Sequence, residues 1–68
     1  MPNQADLSDW LRRIEAEYRD MPGLKLTEPQ IQRLWCLDNR TSTVIVRMLV
    51  ARGVLRETPQ HAYALVAV

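Results

Sequence analysis

A mainly α-helical domain with a small β-sheet is the fold class this sequence predicts, built as three helices followed by a C-terminal β-hairpin. Three observations lead there. Apolar residues recur at helical spacing from Leu7 to Met21. A second periodic stretch, residues 39–52, is preceded by an aspartate and followed by Gly53. Residues 54–58 and 62–66 read as two short strands broken at Pro59.

The first helix is expected over about residues 7–20. Leu7, Trp10, Leu11, Ile14, Tyr18 and Met21 fall on one face at about 100° per residue. Asp9–Arg13, Arg13–Glu17 and Glu15–Arg19 stand four apart on the outer side and are spaced to pair. Asp6 or Ser8 has the chemistry of an N-cap, and Met21-Pro22-Gly23 ends the helix. Leu24-Lys25-Leu26 alternates and is long enough only to add to a sheet formed elsewhere.

Thr27-Glu28-Pro29-Gln30 then has the form of a capping box opening a second helix, about residues 28–35. Its inner face carries Ile31, Leu34 and Trp35. Cys36-Leu37-Asp38 reads as a tight turn whose aspartate caps the third helix, with Cys36 as a half-buried packing residue. On a helical wheel Ser42, Ile45, Val46 and Leu49 form the core side, with Val50 at its edge. Arg40, Thr43, Val44, Arg47 and Ala51 form the other, with Thr41 and Met48 between. The predicted core is Leu11, Ile14, Ile31, Leu34, Ile45, Leu49 and Leu55. The hairpin covers about residues 54–66, with Leu55 and Tyr63 or Leu65 facing the helices and no glycine at its turn.

At 68 residues the chain is expected to form one domain, 1–68, of a size that often gains from a partner. With 47% hydrophobic residues and a net charge of +1 it is not a disordered chain. One cysteine excludes an internal disulfide. No apolar run nears the ~18 residues of a membrane helix, so no membrane association is expected. With no export signal in sight, the cytoplasm is the expected compartment. Charge is uneven. Residues 1–34 hold six acidic against five basic side chains, and residues 35–68 hold two against four.

The order of elements resembles the winged helix-turn-helix domain over about residues 18–65. The resemblance is carried by Met-Pro-Gly-Leu-Lys-Leu-Thr (21–27), the helix from Pro29 to Trp35, Leu37-Asp38, the run Leu49-Val50-Ala51-Arg52-Gly53-Val54-Leu55-Arg56, and Thr58-Pro59 before Tyr63. It departs from the pattern at Cys36, where the inter-helix turn commonly has glycine. It departs again at Gln32, where a small residue is common and where looser contact between the second and third helices is expected.

That resemblance implies a DNA-binding module of a small transcriptional regulator, reading the major groove with helix 39–52. The DNA-contacting set is Arg40, Thr41, Thr43, Val44 and Arg47, joined by Arg56 and His61 in the wing. Arginine suits guanine, and small apolar or threonine methyls suit thymine. The alternative is a protein-interaction module or adaptor subunit whose partner binds the strip Val44, Met48 and Ala51. A homodimer through the first helix, with its two aromatics, would present two recognition helices. No enzyme is expected. Cys36 and His61 are the only residues of their kinds, so no nucleophile–base arrangement and no metal or cofactor site is foreseen.

Overall fold

The computed structural model describes residues 4–66. Its order is α1 (Gln4–Asp20), β1 (Lys25–Thr27), α2 (Glu28–Leu34), α3 (Asn39–Ala51), β2 (Leu55–Glu57) and β3 (Ala62–Leu65). The arrangement is mainly helical with one small antiparallel sheet, consistent with the winged-helix-like order expected. Met1 to Asn3 and the last two residues of the expected domain lie outside the described residues.

α1 begins at Gln4, so Asp6 and Ser8 lie inside the helix and neither is its N-cap. Leu11, Ile14 and Tyr18 are buried from its inner face, and Leu7 and Trp10 pack against them half-buried. Met21 follows the last helical turn and is 47% exposed, leaving the stripe it was expected to continue. Outside, Arg19 pairs with Glu15 at 2.8 Å, and Asp9 pairs with Arg12 at 2.7 Å. The expected pairs of Arg13 do not form. Its guanidinium lies 5.2 Å from the centre of the Trp10 ring instead.

Both ends of the short middle segment are chemically marked. The Thr27 backbone N–H donates to Gln30 Oε1 (2.9 Å), and the Gln30 N–H donates to Thr27 Oγ1 (3.4 Å). That reciprocal box starts α2, with Pro29 where no N–H is needed. α2 buries Ile31, and Trp35 follows it at the C-cap. Leu34 is 55% exposed, against expectation. With Ile31 and Trp35 four residues apart holding the buried stripe of a seven-residue helix, Leu34 turns about 100° away from Trp35.

The turn after α2 is a left-handed cap. Cys36 takes φ 53, and the Leu37 N–H donates back to the Gln32 carbonyl at 2.9 Å. Cys36 is exposed rather than half-buried, because a C′ side chain in that conformation stands off the helix end. A non-glycine residue in this basin costs roughly 1–2 kcal/mol. Cys36→Gly is therefore expected to stabilise the domain by about 0.5–1 kcal/mol, a rise of a few degrees in a thermal melt. A lower melting temperature would show that the cap is not strained. Gln32 Nε2 donates to Asn39 Oδ1 at 3.0 Å, bridging α2 to α3.

Asp38 caps α3, accepting from the Thr41 N–H at 3.0 Å. Hydrogen bonding from Thr41 holds its carboxyl below the usual carboxylate range. The far end closes on Gly53 (φ 77), whose N–H donates to Val50 while Val54 donates to Leu49. Ser42 is completely buried, yet its hydroxyl donates to the Asn39 carbonyl (3.0 Å).

The sheet order is β1-β3-β2, with β3 central and antiparallel to both neighbours. Leu26 opposes Tyr63, and Leu55 opposes Leu65. By alternation these four share one face, and they pack on the helical core. Lys25, Arg56 and Ala64 occupy the other. The Tyr18 hydroxyl donates to the Tyr63 carbonyl at 2.9 Å, tying α1 to the central strand. Burial pushes that phenol up to about 12, so it stays a donor across the ordinary pH range.

Candidate nucleic-acid interface

α3 is held from below. Thr41, Ser42, Ile45, Val46 and Leu49 are buried, and both helix ends are capped. What remains outward is set by the 3.6-residue period. Arg40 and Arg47 are exposed, seven residues and about 10 Å of rise apart, at the middle of the open face. Thr43 and Val44 flank them half-buried, and Ala51 is exposed one turn beyond Arg47. Thr43 Oγ1 donates to the Asn39 carbonyl at 2.9 Å, which turns its methyl away from the backbone.

Thr41 does not belong to this surface. It stands one turn before Ile45, on the core side of the boundary, and is only 7% exposed. Its hydrogen bonding with Asp38 gives it a structural task in the cap. The expected contact set is thus shorter by one residue. Among the described residues neither Arg40 nor Arg47 forms an ion pair, and α3 itself contains no carboxylate.

The wing divides its contributions. Glu57 opposes Tyr63 in the β2–β3 register, and both line an open groove of about 410 Å³ with Val46, Arg47, Val50 and Ala51. Arg56 points to the opposite face of the sheet by alternation, so it does not join Arg47 in that groove. The wing tip is a three-residue loop closed by Thr58 and Ala62, whose backbone groups meet at 2.7 Å. His61 takes the left-handed conformation there (φ 62), filling the position where a hairpin glycine was missing from the sequence. Its Nδ1 lies 3.0 Å from Glu57 Oε2.

Sequence reasoning did not foresee Glu57, Val50 and Tyr63 as neighbours of Arg47. The signal was present in the strand alternation from Leu55, which puts Glu57 on the helix-facing side. Partial burial, with the Glu57 and Glu28 carboxylates adding to it, raises the Tyr63 phenol, and Arg47 opposes that shift. The phenol is neutral at neutral pH and faces the groove as a hydroxyl.

No protein-family model, curated protein or solved structure matches this chain. Among the described residues no group of three or more His, Cys, Asp or Glu side chains is placed to hold a metal ion. None of the described helices is long and apolar enough to cross a membrane. The strip Val44, Met48, Ala51 is shallower than its sequence suggests, since Val44 and Met48 are half-buried and Met48 packs on the core.

Proposed function

We propose that this chain binds double-stranded DNA in the manner of a winged helix-turn-helix regulator, with α3 in the major groove. One observation carries the reading: two exposed guanidiniums, free of ion pairs among the described residues, sit at the centre of the open face of a rigidly capped helix that bears no acid. Arg40 and Arg47 are spaced to reach base edges or phosphates about three base pairs apart. Thr43 and Val44 between them offer methyl groups to thymine. His61 at the wing tip and Arg56 on the outer sheet face supply further phosphate contacts. A cytoplasmic location belongs to the same reading.

The test is a fluorescence-anisotropy titration of a labelled random-sequence duplex at ~50 and ~200 mM salt. If three phosphates are neutralised, affinity should fall about forty-fold between the two conditions. No binding at ~50 mM salt would refute the proposal. Salt-insensitive binding to a protein through Val44, Met48 and Ala51 would select the adaptor reading in its place.

A further inference from the structure

A second surface lies on the other flank of α2, away from its Gln32 bridge to α3. Leu26, Gln30, Arg33 and Leu34 line an open groove of about 390 Å³ between β1 and α2. Leu34 is the most exposed large apolar side chain among the described residues, at 55%, and Met21 is next at 47%. The charges around the two differ in sign. Arg33 borders the Leu34 groove. Met21 follows Asp20 directly and stands one helical turn above Glu17, to whose carbonyl its N–H donates at 3.2 Å. Among the described residues Arg33, Glu17 and Asp20 all lack an ion-pair partner.

We propose that the occupant of the groove is a second copy of this chain. Met21 of one copy enters between Leu26 and Leu34 of the other, and the carboxylates beside Met21 meet Arg33. An unbranched thioether adapts to a shallow apolar groove better than a branched side chain. Opposite charge at the rim fixes orientation and disfavours like-on-like pairing. If the exchange is two-fold, knob and groove of each copy are both filled and assembly closes at the dimer. The aromatics of α1, expected to drive self-association, are engaged within the monomer: Tyr18 is buried, and the Trp10 ring lies under Arg13. The turn after α1 takes over the task. This inference does not depend on the DNA reading, and no DNA enters its test.

Sedimentation equilibrium of the full chain is expected to show a monomer–dimer system with a Kd between about 1 μM and 1 mM. Leu34→Asp should weaken it at least about tenfold while leaving the thermal melt close to wild type, since the site is exposed. Arg33→Glu should weaken it as well, and adding Asp20→Arg should restore it. A wild-type chain that is monomeric throughout that range overturns the proposal. So does a dimer undiminished by Leu34→Asp, or a failure of Asp20→Arg to rescue Arg33→Glu.

Discussion

Leu49→Ala is expected to remove a large fraction of the domain's stability. Leu49 is completely buried at the centre of the helical core, where Leu11, Ile14, Ile45 and Leu55 belong to the same cluster. Truncation removes its transfer free energy and leaves a cavity that capped helices cannot collapse to fill, a loss of about 2–5 kcal/mol. A domain of this length has roughly 3–10 kcal/mol of stability in total, at 0.05–0.15 kcal/mol per residue. Urea unfolding followed by circular dichroism measures the loss directly. Leu34→Ala is the matched control: the same deletion at a 55% exposed site should cost no more than about 0.5 kcal/mol. Equal midpoints for the two variants would mean that the inward face of α3 has been misassigned.

The double substitution Arg40→Glu/Arg47→Glu should abolish DNA binding with little effect on folding. Each arginine at a base or phosphate contributes on the order of 1–3 kcal/mol, so the pair accounts for a loss of at least about 30-fold. Negative charge in their place adds repulsion against phosphate. Both side chains are exposed and outside the ion pairs of the described residues, so the melt should barely move. Arg12→Glu/Arg19→Glu makes the same change in net charge on the exposed side of α1, at two surface ion pairs worth little to stability. Anisotropy titrations of both doubles separate a specific face from overall charge. Full binding by the α3 double would remove α3 from the interface.

The parts of this molecule that local chemistry dictates were legible in its sequence. The Thr27–Gln30 box, the Asp38 cap, Gly53 and the split of α3 into core and open faces each follow from a few neighbouring residues, and each is found in the structure. Residues at the edge of a pattern were not legible. Thr41 sat on the wheel's boundary, and the fold buries it beside the Asp38 cap that takes its N–H. Met21 lies one residue past the end of α1, and Leu34 stands about 100° round the helix from the buried Trp35. Cys36 and His61 hide two turns normally announced by glycine, since nothing in either side chain advertises a positive φ. For the candidate site, the open face of α3 was readable from its period. The groove beside it was not, because alternation gives the face of Glu57 but not the β2–β3 register that sets it opposite Tyr63.

The strand order has a bearing on how the chain acquires its structure. β3 follows both its neighbours in the chain yet is the middle strand of the sheet, and its partner Lys25 stands 39 positions before Ala64. Until β3 arrives, β1 and β2 have nothing to pair with, and the Tyr18 hydroxyl lacks its acceptor. Helices and the β2–β3 hairpin can flicker into place locally, but adding β1 closes a long loop whose entropy is lost before any β1–β3 hydrogen bond forms. Emerging from a ribosome, the chain would hold its apolar sheet face open until the final strand is free. Completion would then come as one late, cooperative step.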